Sequence, residues 1–206
     1  MIIANKKPIV MIGFAESAMT QECWLIVNED FDGEMEIVEP SDFLEMNDKD
    51  NYQYVVAFTI DKKLRRVVIQ LIDDLDLDCV TCIHKSSYVY NADIDKFVGK
   101  GTIGFAYNTF NNGCVIGEHC IIECYVLISH YCVVGNNTLL HSGTMIAGKT
   151  TVGENSEFNF RSTVLNALEL PDNIILGAAS TLSKSIEKSG IYIGTPARRV
   201  GDFPTE

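Results

Sequence analysis

Stepping by six from Val98, the chain places Gly104, Phe110, Ile116, Ile122, Ile128, Val134, Leu140, Ile146, Val152, Phe158, Val164, Leu170, Leu176 and Leu182 in one register. Fourteen of these fifteen side chains are large and apolar, so the register marks an inward-facing column. No helix keeps such a set on one face, because its period is 3.6 residues. Four positions further on in each step, residues are mostly small or β-branched, as at Cys114, Cys120, Cys132, Thr138, Thr144 and Ser156. Between the columns fall Asn112-Gly113, Asn136-Asn137, Ser142-Gly143 and Asp172-Asn173. These residue types tolerate tight turns with positive φ. Glycine recurs at Gly99, Gly117, Gly135 and Gly153, a spacing of 18. Three edges of six make one triangular coil, and a coil buries its inner face only by stacking on others.

Composition narrows the classes of function. Hydrophobic residues are 47% and charged residues 21% of 206, an ordinary soluble balance. A net charge of −12 without a basic stripe argues against nucleic acid as a partner. No apolar run approaches the roughly 20 residues that span a bilayer. The apolar run at 8–14, broken by Gly13, reads as a core strand and not a signal peptide. Seven cysteines, odd in number and spread through apolar segments, fit reduced thiols in a cytoplasmic protein. Cys79 and Cys82 have metal-ligand spacing, but on a strand they point to opposite faces and no second pair completes a site. His119, His130 and His141 fall at different coil positions and do not stack on one face. No metal is expected.

Positions 1–84 follow another pattern. Runs at 8–14, 24–27, 54–58 and 79–83 read as strands, the second ending in Asn28-Glu29-Asp30. Residues 41–46 and 62–73 read as helices. The alternation predicts a small α/β domain with a parallel sheet. Its first turn, Ile12-Gly13-Phe14-Ala15-Glu16-Ser17, has one glycine and an acid, where phosphate-binding turns carry several glycines. The short distance from Gly13 to the run at 24–27 leaves little room for a full helix. The cluster Lys62-Lys63-Leu64-Arg65-Arg66 is either a phosphate contact or a solvated helix start.

Residues 98–186 resemble the hexapeptide-repeat acyltransferases. That resemblance implies a left-handed parallel β-helix, acyl transfer from coenzyme A and a homotrimer with sites in grooves between prisms. The tail Ile193-Gly194-Thr195-Pro196-Ala197-Arg198 is similar to the family's closing motif. The order of an α/β segment leading through Ile83-His84-Lys85-Ser86-Ser87 into coils resembles the branch that acetylates bacterial sugars. In that branch a small Rossmann-like domain holds the acceptor's nucleotide. The resemblance therefore implies an acceptor-binding Rossmann-like domain over 1–84. A left-handed β-helix acyltransferase domain with a C-terminal tail follows over 85–206.

The resemblance also implies roles. His130, in His130-Tyr131-Cys132-Val133-Val134-Gly135, matches the family's general base. A carboxylate usually follows that histidine. Here Tyr131 follows, so Glu123 or a backbone carbonyl is expected to orient the ring. Ala147, Gly148, Phe160, Ala178 and Ala179 match positions lining the path of acetyl-CoA, and Arg198 or Arg199 would meet its phosphates. Gly13, Phe14, Asn28 and Glu29 are the candidates for the nucleotide-linked acceptor. His141 is a candidate substitute for a second family histidine, whose place Leu139 takes. His119 is expected at an exposed corner, and His84 in a structural connector. The expected activity is N-acetylation of a nucleotide-linked amino-deoxysugar. A sugar O-acetyltransferase of the sialic-acid type and a catalytically silent trimeric scaffold stay open.

Overall fold

A computed structural model of the chain describes residues 1–90 and 93–204. The chain divides into two compact units, Met1–Ile83 and a second that begins at His84.

The second unit is a parallel β-solenoid. Each edge of the coil is a short strand followed by a corner. Strands pair with their equivalents one coil later, as in Ile122 with Leu140, Ile128 with Ile146 and Val134 with Val152. This produces three parallel sheets. The second residue of each strand points inward, and Ile122, Ile128, Leu140, Ile146, Phe158 and Val164 are fully buried. The apolar column read from the sequence is thus the core of the prism.

The corners follow the same period. Every sixth residue from Gly101 to Ala179 has positive φ, including Tyr107, Tyr125, Tyr131, Lys149 and Arg161. A left-handed conformation costs a non-glycine residue about 1–2 kcal/mol. Here a backbone ladder offsets that cost. Tyr131 N–H donates to Asn112 C=O at 2.9 Å, Lys149 N–H to His130 C=O at 2.9 Å and Arg161 N–H to Ser142 C=O at 3.0 Å. The same bond repeats down the prism. At one corner the coils approach so closely that a Cβ on Gly135 would lie 2.7 Å from the Glu154 nitrogen, which accounts for the recurring glycine column.

The first unit contains β1 (Ile2–Ile3), β2 (Ile9–Ile12), α1 (Ala18–Asn28), β3 (Met35–Val38), α2 (Pro40–Glu45), β4 (Gln53–Val56), α3 (Lys62–Asp74) and β5 (Thr81–Ile83). Strand β2 lies between β3 and β4, parallel to both. All four of its residues are fully buried. Strands β1 and β5 pair antiparallel.

Three expectations need correction here. Residues 24–27 are helical, not a strand: Thr20, Cys23, Ile26 and Val27 are buried at helical spacing while Leu25 is 64% exposed. Four consecutive apolar residues do not by themselves distinguish a strand from a helix. The segment after Gly13 therefore has room for an eleven-residue helix. Strand β3, absent from the sequence reading, pairs with β2 on the side opposite β4. In α3, Arg65 is inside and Val67 is 48% exposed. Arg65 donates to the carbonyls of Val56 and Phe58, both at 2.8 Å, closing the end of β4. The basic cluster is a helix start, capped by Asp61 accepting from Leu64 N–H at 2.8 Å.

Candidate active site

Two corners of the prism carry most of the expected residues. One holds His130 and, one coil later, Ala147 and Gly148. The other holds Glu123, His141, Phe160, Ala178 and Ala179. The strands that begin at Leu127 and Met145 separate the two corners.

His130 is exposed, and among the described residues none hydrogen-bonds its ring. The imidazole lies against Gly148. A Cβ there would meet Nε2 and Cε1 at 2.5 Å, so glycine makes room for the ring. The backbone N–H of Gly148 donates to no group among the described residues. Tyr131 stands edge-on to His130, with centroids 5.6 Å apart at 81°. An accessible imidazole beside an uncommitted amide is the pair of groups that acyl transfer uses, one for the proton and one for the oxyanion.

Glu123 does not serve His130. Its Oε1 accepts from His141 Nδ1 at 2.8 Å, and its Oε2 accepts from Ser142 N–H at 2.9 Å and Ser142 Oγ at 3.0 Å. Glu157 takes the other ring nitrogen, Nε2, at 3.0 Å. The three side chains are 13–16% exposed. Burial by itself would push the His141 pKa down, but hydrogen bonds and attraction from both carboxylates outweigh it and lift it to about 9. For Glu123, burial acts upward, and the contacts with His141 and Ser142 bring the carboxyl below its usual range. His141 is therefore a cation with both N–H groups occupied, unfit to accept a proton near neutrality. Its ring packs on Phe160 at 5.2 Å.

Phe160 is 54% exposed, and Ala178 and Ala179 are exposed below it. Arg198 is exposed and donates to its neighbour's carbonyl, Ala197 C=O, at 2.9 Å. Arg199 is instead tied to Asp202 and to Ser189 C=O. Of the two arginines, Arg198 has the guanidinium without a carboxylate among the described residues. His119 is buried, not exposed: its ring folds back over Gly101, on the preceding coil. Cys114 and Cys132 are buried, and burial pushes both thiols up, that of Cys114 to about 11. Neither is a ready nucleophile.

In the first unit, Gly13 serves packing. A Cβ there would meet Thr20 Oγ1 at 2.5 Å. Thr20 Oγ1 accepts from Phe14 N–H at 3.2 Å and donates to Ala57 C=O at 3.0 Å. The Phe14 amide is therefore engaged inside the unit. Asn28 ends α1 and Glu29 caps it, so neither follows a strand of the parallel sheet. The residue that follows β3 is Glu39, which is exposed. Among the described residues no helix is long and apolar enough to cross a membrane.

No family model and no curated protein sequence matches the chain. Solved structures do. The acetyltransferase domain of PglB from Neisseria gonorrhoeae FA1090 superposes with a TM-score of 0.82 at 16% identity, over 94% of this chain and 100% of that one. The same domain in complex with acetyl coenzyme A gives 0.74 at 14% identity, over 95% and 100%. PerB from Caulobacter crescentus, in complex with CoA and GDP-perosamine, gives 0.60 at 16%, over 98% and 100%. At these identities the likeness is one of fold. It extends over residues of both units, since 94–98% of this chain is covered.

Proposed function

We propose that this protein is an acetyl-CoA-dependent sugar acetyltransferase that N-acetylates a nucleotide-linked amino-deoxysugar. The observation that carries this reading is the exposed His130 ring resting on Gly148, in a fold shared with acetyltransferases solved with acetyl-CoA or CoA. The donor's pantetheine arm follows Phe160, Ala178 and Ala179, and Arg198 meets its phosphates. His130 takes the proton from the acceptor amine as its nitrogen attacks the thioester carbonyl. The Gly148 N–H stabilises the oxyanion. A C–N bond forms, the C–S bond breaks, and the thiolate leaves as the thiol once protonated. No covalent acyl-enzyme is needed.

The first unit is Rossmann-like in this reading and holds the acceptor's nucleotide. In strand order β3-β2-β4 the connections reverse direction between β2 and β4, and open parallel sheets bind ligands at the carboxyl ends of such a pair. Gly13 and Phe14 shape that edge, and the Glu39 carboxylate suits ribose hydroxyls. The solenoid is left-handed, the protein is a cytoplasmic homotrimer, and its product feeds glycan biosynthesis. A sugar hydroxyl as acceptor is the neighbouring reading, and the acceptor panel separates the two.

The test is thiol release from acetyl-CoA with a panel of nucleotide-linked amino sugars and sialic acids. His130→Ala should lower kcat by about 10²–10⁴ while acetyl-CoA still binds by calorimetry. Full activity in His130→Ala would remove the base. No acetyl-CoA binding by the wild-type protein would leave a silent scaffold.

A further inference from the structure

We propose that a cavity on the first coil, one rung before His130, seats the sugar ring of the acceptor and selects it. This rests on the acetyltransferase reading and adds the subsite. The cavity holds about 360 Å³. That is at the low end of small-molecule sites, about 300–1,000 Å³, and matches one substituted ring better than a whole nucleotide sugar.

Its position ties it to the base. Asn112 and Gly113 line it. Asn112 C=O accepts the Tyr131 N–H at 2.9 Å, and the Tyr131 ring covers Gly113, where a Cβ would lie 2.4 Å from Cδ1. Tyr131 in turn meets the His130 ring. Cavity, Tyr131 and His130 are thus continuous along one corner, with a rung spacing of about 4.8 Å. Tyr131 stands where the resemblance leads one to expect a carboxylate, and its ring lies between Gly113, which lines the cavity, and the His130 ring.

The lining chemistry selects the ligand. Tyr90 and Phe97 present aromatic surface, Phe97 resting on the buried Phe110 at 6.5 Å, and aromatic faces pack on the C–H face of a pyranose. Asn111 and Asn112 supply amides that both donate and accept. Lys96, also in the lining, is paired with Asp93. The cavity therefore offers no uncompensated cation among the described residues and does not suit a phosphate. Apolar surface with neutral amides suits a deoxysugar, whose methyl group replaces a hydroxyl.

The test uses two variants. Asn112→Ala removes an amide, and Val115→Trp fills the cavity from a side chain that is 48% exposed and so tolerates size. Acceptor KM with a nucleotide-linked 4-amino-4,6-dideoxyhexose should rise about tenfold or more, the effect of one lost hydrogen bond. The KM for acetyl-CoA should stay within about twofold, an effect too small to count as a lost contact. In parallel, saturation-transfer NMR follows the methyl glycoside of the same sugar, which Val115→Trp should no longer bind. Acetyl transfer with unchanged acceptor KM in both variants overturns the subsite and leaves the enzyme standing. Glycoside binding lost in Val115→Trp, without acetyl transfer by the wild type, keeps the subsite and sinks the enzyme. Neither binding nor transfer by the wild type overturns both.

Discussion

His130 and Gly148 stand one coil apart, and their relation follows from the coil period. The register places a corner residue above its equivalent one coil later, and a glycine there is the condition for a ring to lie flat across the rung. Gly148→Ala should therefore displace the imidazole. Displacement of a catalytic group by about 1 Å can cost on the order of 10²-fold. Steady-state kinetics should show kcat falling with thermal stability near wild type; unchanged kcat would mean that the ring has another productive position. Glu123 is instructive in the same terms. One full coil on from Glu123 is His141, so the period already stacks Glu123 on His141 and not on His130. That signal was present in the sequence. Glu157 was not legible: it lies on a strand, and only the side-chain paths bring its carboxylate to the second ring nitrogen.

At the scale of the coil, Glu123, His141 and Glu157 form a clamp across three rungs. Removing one partner of such a buried group costs about 3–5 kcal/mol, so Glu123→Leu should lower the thermal midpoint markedly. The pH dependence has a definite sign. The pKa of His141 is raised from 6.5 to about 9 in the folded state. Its contribution is complete below about pH 6.5 and is lost as pH rises through about 9, a difference of about 3 kcal/mol. The Glu123 carboxyl is shifted the other way, from 4.5 downward, so its contribution holds above about 4.5 and fades as pH falls below that. Thermal unfolding of wild type and His141→Gln at pH 6 and 9.5 should show a wild-type advantage at pH 6 that shrinks at pH 9.5. An equal advantage at both values would mean that the imidazolium adds nothing. The helix α1 is the counterexample of legibility. Its apolar run at 24–27 suits either a strand or a helix, and only the sheet it packs on decides.

For the whole molecule, one prism places His130 on one corner and Ala178–Ala179 on another. In the proposed trimer a groove between prisms would bring base and thioester together from two chains. Sedimentation should give a mass about three times the 22.9 kDa chain. Co-expressed His130→Ala and Ala179→Trp chains, each inactive alone, should recover part of the activity as mixed trimers. A monomer with full activity would place both groups in one chain.

The solenoid was readable from the sequence because its repeat is local. Each edge of the coil carries its own inward residue and its own turn, so the pattern survives without knowledge of distant contacts. The position of His130 followed from the same counting. The α/β unit was readable only in class, since its strand order is set by contacts between segments far apart in the chain. The partners of His141, the burial of Arg65 and His119, and the cavity beside Tyr131 arise where side chains from separate rungs or helices converge. Those distances are properties of packing, and only the tertiary structure decided them.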